Sequence, residues 1–200
     1  MKTTQICWNE SSGWESAEPD VARQAGLVLV FADHPYFHDS RCYTQLKEMF
    51  PRAHIIGCTS AGNVLDTTIS DRDMVATAVS FDQGYVKLAM VDMVEGTPVK
   101  SLCARMMDKL DHPDLRHVFV LSDGLRVNGS DLATGLNAVS KHQVTATGGL
   151  AGDGERFSET WVMADAPARQ GRIAAVGFYG GLRLKADATR AGRNSVPSVW

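Results

Sequence analysis

The chain has 200 residues, 44% hydrophobic and 22% charged, with a formal net charge of −3. That length suits one domain able to bury a core without disulfide or metal support, and scattered Lys and Arg argue against a nucleic-acid partner. No apolar run approaches the ~18 residues of a membrane span, and the start, Met1-Lys2-Thr3-Thr4-Gln5, lacks a signal-peptide apolar stretch, so a cytoplasmic protein with no membrane partner is expected.

Apolar runs alternate with amphipathic stretches along the chain. Gly26 to Phe31 is a short branched-residue run that reads as a buried strand. From Asp39 to Phe50 the residues Cys42, Tyr43, Leu46, Met49 and Phe50 recur at helical spacing. Asp39 or Ser40 is the N-cap, and Pro51 is the stop. His54 to Cys58 is the next strand, which makes a βαβ unit. Met74–Phe81 and Tyr85–Val91 are β-like runs separated by Asp82-Gln83-Gly84, the length and chemistry of a hairpin turn. Pro98 opens a helix to Leu110, and His117 to Leu121 is a further buried strand. A helix capped near Gly129 or Ser130 runs to about His142. Val144 to Thr147 is a strand that ends in a glycine-rich loop. Thr160–Met163 and Ile173–Tyr179 complete the β elements. The expected class is α/β: a mixed sheet with a βαβ unit and an antiparallel hairpin, flanked by helices.

Three segments carry the candidate chemistry. Gly57-Cys58-Thr59-Ser60-Ala61-Gly62 and Ser122-Asp123-Gly124-Leu125 each follow a strand directly, as does Gly148-Gly149-Leu150-Ala151-Gly152-Asp153-Gly154. Open α/β sheets bind ligands at strand C-terminal ends, and glycine lets backbone N–H groups approach a ligand closely. Thr59, Ser60, Gly62, Asp123, Gly148, Gly149 and Asp153 are therefore the expected small-ligand contacts, with the three loops facing one cleft. None of the segments is a phosphate motif. A hydrolase is the alternative. Ser60-Ala61-Gly62 resembles part of a nucleophile elbow, but Cys58 stands where that motif needs glycine. Either the order Ser60, Asp123, His142 would fit a triad, or Cys58 would pair with a histidine as a thiol nucleophile.

The four cysteines, Cys7, Cys42, Cys58 and Cys103, are irregularly spaced with no C-x-x-C pair, and read as free thiols. His34 and His38 lie in Asp33-His34-Pro35-Tyr36-Phe37-His38-Asp39, where Pro35 argues against a helix through both.

With these motifs the chain resembles the N-terminal half of the FIST domain family, named for F-box and intracellular signal transduction proteins. The resemblance runs from about Gly26 to Leu184. It rests on Leu27-Val28-Leu29-Val30-Phe31-Ala32, the Gly57–Gly62 string, Asp123-Gly124-Leu125 and above all the Gly148–Gly154 string. Ala175-Val176-Gly177-Phe178-Tyr179-Gly180 adds the family's closing strand. The resemblance implies a non-catalytic sensory input domain for small ligands, amino acids among those proposed. Some bacterial members are similar to haem-based nitric-oxide sensors. These work beside a histidine kinase or a cyclic-di-GMP enzyme, the implied partners. Were haem bound, an axial ligand would be needed, and His34 and His38 are the candidates, with Tyr36 and Phe37 beside them.

From Lys185 onward neither helix nor strand periodicity survives. Residues 1–184 thus form the expected domain and 185–200 an irregular tail. Back-translation of Arg190 to Trp200 permits, in a shifted frame, Gly-Trp-Pro-Lys-Phe-Gly-Pro-Glu-Arg-Leu. That resembles the family's continuation into its C-terminal half, so the tail reads as frameshifted and the β surface it would lead to cover as exposed.

Overall fold

A computed structural model of the chain describes residues 1–65, 67–70, 73–140, 144–182 and 184. His142 and the tail from Lys185 lie outside the described residues. The strands are β1 (Lys2–Asn9), β2 (Gly13–Trp14), β3 (Ala25–Ala32), β4 (His54–Thr59), β5 (Asn63–Leu65) and β6 (Thr68–Ser70). They continue as β7 (Met74–Ser80), β8 (Tyr85–Asp92), β9 (Leu115–Ser122), β10 (Thr145–Leu150), β11 (Val162–Ala164) and β12 (Arg172–Tyr179). The helices are α1 (Pro19–Gln24), α2 (His34–Phe37), α3 (Ser40–Met49), α4 (Val99–Leu110) and α5 (Gly129–Val139).

Two mixed sheets form the body. One has the strand order β11-β4-β3-β7-β1-β2 and the other β10-β9-β12-β8, while β5 and β6 make a separate antiparallel pair. Each large sheet contains one parallel pair, β3 with β4 and β9 with β10. Helix α3 connects the first pair and α5 the second, so the expected βαβ unit is present and a second accompanies it.

Side-chain alternation explains the layering. Along β3, Val28, Val30 and Ala32 pack with Cys42, Leu46 and Phe50 of α3 and its C-cap. Leu27, Leu29 and Phe31 point the other way, into a cluster shared with Leu121, Val176 and Phe178 of the second sheet. Across that sheet Val118, Val120, Ile173 and Ala175 meet Leu102, Met106, Leu132 and Leu136 of α4 and α5. The result is a helix–sheet–sheet–helix sandwich with three apolar seams. Strands buried on both faces must be apolar at nearly every position, which is why β3, β9 and β12 read as continuous runs.

The helix starts follow ordinary capping rules. Asp39 accepts from Arg41 N at 2.8 Å to open α3. Asn128 accepts from Ser130 N and Asp131 N at 2.9 and 3.1 Å to open α5.

Three expectations change. The runs on either side of Asp82-Gln83-Gly84 do not form a hairpin: β7 pairs with β1 and β3, whereas β8 pairs with β12 in the other sheet. Both runs bury two faces, so crossing from one sheet to the other hides more apolar surface than a two-stranded ribbon would. Second, Gly148 and Gly149 lie within β10, not in a loop after it. Third, α2 does run through Pro35. Asp33 caps it by accepting from His34 N at 2.7 Å, and a proline in the first helical turn gives up only an N–H that has no helical partner.

Candidate functional site

The C-terminal ends of both parallel pairs come to the same end of the sandwich. There the three glycine-bearing segments bond to one another. Gly152 N donates to Thr59 O at 2.9 Å and Ala151 N to Ser122 O at 2.7 Å. Thr59 N donates to Trp161 O at 3.0 Å, and its Oγ1 accepts from Trp161 N at 3.2 Å. Ser60 Oγ donates to Gly62 O at 2.6 Å, closing its own turn. A Cβ on Gly124 would lie 2.0 Å from Ala151 O, so only glycine lets these two segments approach so closely.

Two buried carboxylates hold this junction. Asp123, with a side chain 1% exposed, accepts from Leu125 N and Arg126 N at 2.9 Å each and from Thr160 Oγ1 at 2.7 Å through Oδ1. Its Oδ2 accepts from Gly171 N at 2.6 Å. Asp153 accepts from Ser158 N, Ser158 Oγ and Glu159 N at 2.8, 3.0 and 3.0 Å, and from Arg156 Nε at 3.1 Å. Burial pushes the Asp153 carboxyl up. Hydrogen bonds from Glu159, Ser158 and Arg156 outweigh that and hold it well below the usual carboxylate range. Thr59, Asp123 and Asp153 thus spend their polar atoms on neighbouring segments.

The other sequence-derived contacts, Gly148 and Gly149, face a groove of about 440 Å³ between β10 and α5. Its floor is Val120, Ala146 and Leu150, and its wall is Leu132, Ala133 and Leu136. Asn128, Ser130, Asn137 and Thr147 supply the polar groups, and no charged side chain lines it. A Cβ on Gly148 would sit 1.9 Å from Val120 O, whereas nothing lies within 4 Å of one on Gly149. The first glycine is needed for β10 to reach β9; the second leaves open space. Among the described residues β10 pairs only with β9 and forms the sheet's edge. Leu150 there is 43% exposed. His117 stitches the strand from its other face, with Nδ1 2.7 Å from Thr145 Oγ1 and Nε2 2.8 Å from Thr147 Oγ1.

A second polar cluster lies beyond β3. His34 and His38, at the two ends of α2, converge on Glu159. His34 Nδ1 and His38 Nε2 are 2.8 and 3.0 Å from the same oxygen, Oε1. The other oxygen, Oε2, accepts from Trp161 Nε1 at 3.1 Å and Gln170 Nε2 at 3.0 Å. Arg156 bridges Asp33 and Asp153 alongside. Glu159 and Trp161 carry no motif in the sequence; more than 100 residues separate them from α2, as in the 121-residue gap between His38 and Glu159.

The residues present do not make a haem pocket. His34 and His38 face a carboxylate and lie among Asp33, Asp153 and Arg156. The groove, apolar enough for part of a porphyrin, has no His, Cys, Met or Tyr in its lining to ligate iron. Cys58 is buried between the sheets, where desolvation pushes its thiol up to about 12. That is the opposite of an activated nucleophile.

Fold and layering define the class as an α/β domain of two packed mixed sheets. Residues 26–191 match the FIST N domain, and the chain belongs to that family. Its sensory role in signal transduction comes with the family. No curated protein matched it. Among the described residues no helix is long and apolar enough to cross a membrane.

Proposed function

We propose that this domain senses a small amphiphilic molecule bound in the groove between α5 and β10. The observation that carries the reading is the groove itself. Its volume falls in the ~300–1,000 Å³ range of small-molecule sites, and it is formed by the most family-like string of the sequence. An apolar wall with a few amide and hydroxyl groups suits a ligand with an apolar body and one compact polar end. Without a charged side chain in the lining, an uncharged or zwitterionic ligand fits best. The compact polar end of the ligand would meet the side chains of Asn128, Ser130, Asn137 and Thr147. An apolar amino acid meets these demands, in keeping with what the family resemblance implies.

Binding would draw α5 toward the edge strand. A helix and a strand that change their spacing offer a surface a partner can read, such as a histidine kinase or a cyclic-di-GMP enzyme in the cytoplasm. The role is binding and not turnover: Ser60 closes its own turn and Asp123 is fully engaged. Haem-dependent nitric-oxide sensing, the narrower expectation, has no support from either polar cluster. A Soret band on haem addition that vanishes in His34→Ala/His38→Ala would restore it.

The test is calorimetry with L-leucine, L-methionine and L-phenylalanine on the wild type and on Ala133→Trp. Ala133 is half-buried in the groove wall, so the indole fills the groove without entering the core. Saturable binding lost in the variant is expected. Equal binding by the variant contradicts the site, and ester turnover lost on Ser60→Ala or Cys58→Ser would favour the hydrolase instead.

A further inference from the structure

We propose that His34, His38 and Glu159 form a binding site for one divalent first-row transition-metal ion, separate from the groove.

The donor set is two imidazoles and a carboxylate. That combination holds Zn²⁺ or Fe²⁺ at sites that keep further positions open. Bonds of ~2.0–2.1 Å place neighbouring donor atoms about 3.3–3.4 Å apart at a tetrahedral Zn²⁺ site and about 2.8–3.0 Å apart at the right angles of an octahedral one. The two imidazole–carboxylate spacings therefore need change by only a few tenths of an ångström to take either ion. Glu159 Oε1 stands 2.8 Å from His34 Nδ1 and 3.0 Å from His38 Nε2, and all three donors lie within 4.8 Å of one another.

Hydrogen bonding accounts for only one of the two contacts. His38 Nε2 and Glu159 Oε1 meet as a hydrogen bond. His34 Nδ1 is buried and has no hydrogen-bond partner, although Oε1 is close by. The in-plane direction of that nitrogen, along which its proton or lone pair lies, is not aligned with Oε1. A cation seated among the three groups supplies what that nitrogen lacks.

The surroundings are those of a supported metal site. Oε2 is held by Trp161 Nε1 and Gln170 Nε2, which fixes the carboxylate plane and leaves Oε1 for the imidazoles. Hydrogen bonds of this outer kind orient metal ligands and tune affinity. The Asp33 cap sets the direction of α2, and the two histidines are one turn apart on it. The neighbouring set of Asp33, His34 and Asp153 is less suited, because Arg156 already pairs with both aspartates and would have to be displaced. The His34 side chain is 17% exposed and that of His38 48%. Further coordination positions therefore face solvent on the His38 side, open to water or a small anionic ligand.

The experiment uses the full chain, stripped with chelator and titrated with Zn²⁺ by calorimetry, and with Co²⁺ by visible absorption. The wild type is expected to bind one equivalent of Zn²⁺ and to give a d–d spectrum without a thiolate charge-transfer band. Glu159→Gln, which keeps the shape and size of the side chain, and His34→Ala/His38→Ala should each weaken Zn²⁺ binding by at least about 10-fold, the low end of the loss when even a supporting group is removed. His112→Ala, which removes a distant histidine, should bind as the wild type does. Circular dichroism confirms that each variant is folded; if the double variant is not, Glu159→Gln alone decides. No stoichiometric Zn²⁺ binding by the wild type overturns the proposal. So does undiminished binding by a folded Glu159→Gln protein, or a cobalt spectrum showing cysteine ligation.

Discussion

Asp123 distinguishes a structural strut from a ligand contact. Replacement by Ala removes the acceptor of four hydrogen bonds at a side chain 1% exposed. Leu125 N and Arg126 N lie at the loop surface, where water can replace the lost carboxylate. Gly171 N and Thr160 Oγ1 sit in buried contacts, where each orphaned group costs about 1–3 kcal/mol. Two such groups give a loss of roughly 4 kcal/mol. With a urea dependence of about 2 kcal/mol per molar, the unfolding midpoint should fall by roughly 2 M. Asp123→Asn is the finer probe. It keeps an oxygen for Leu125, Arg126 and Thr160 but turns an NH₂ toward Gly171 N, and should cost about half as much. Urea denaturation followed by tryptophan fluorescence measures both. A change in midpoint near zero for Asp123→Ala would refute the strut reading and return Asp123 to the expected ligand contacts.

The pH dependence of stability should show the buried imidazole of His117. Desolvation lowers its pKa, so the unfolded chain, with a value near ~6.5, takes up the proton first. Its contribution is therefore complete above that value and is lost as pH falls toward the folded one. Urea midpoints at pH 8, 7, 6 and 5 should decline in the wild type and stay flatter in His117→Gln; identical slopes would contradict this. Asp153 and Asp165 are also held low and act in the same direction, but only in the acid range below ~4. Thiol labelling at pH 8 should leave Cys58 and Cys42, both pushed up to about 12 by burial, unmodified until the protein is unfolded. Rapid native labelling of Cys58 would count against its burial and for a reactive thiol.

The elements most legible in the sequence were those buried on both faces. The runs at Leu27–Phe31, His117–Leu121 and Ile173–Tyr179 are apolar at nearly every position because helices cover one face and a second sheet the other. Strand β1 escaped notice because Lys2, Thr3, Thr4 and Gln5 are largely exposed, and only its pairing with β7 reveals it. The crossing between sheets at Asp82–Gly84 was illegible for a different reason. Turn chemistry specifies a local reversal, and it does not specify whether the next strand pairs with its predecessor or with β12 far along the chain. Gly148 marked a close backbone approach, as its spacing from Val120 O shows. The groove wall on α5 was visible only as an amphipathic helix. Of the Glu159 cluster only His34 and His38 stood out, as a pair in one loop; Glu159, 121 residues beyond His38, had no signal because the fold alone joins it to them.

The account turns on where a small molecule binds, and methyl-resolved NMR of the wild type titrated with L-leucine locates it directly. The expected result is saturable shifts confined to the methyls of Val120, Leu132, Leu136 and Leu150, which line the groove, and their loss in Ala133→Trp. Shifts centred elsewhere in the protein, or none at concentrations well above those at which free amino acids occur, would contradict it.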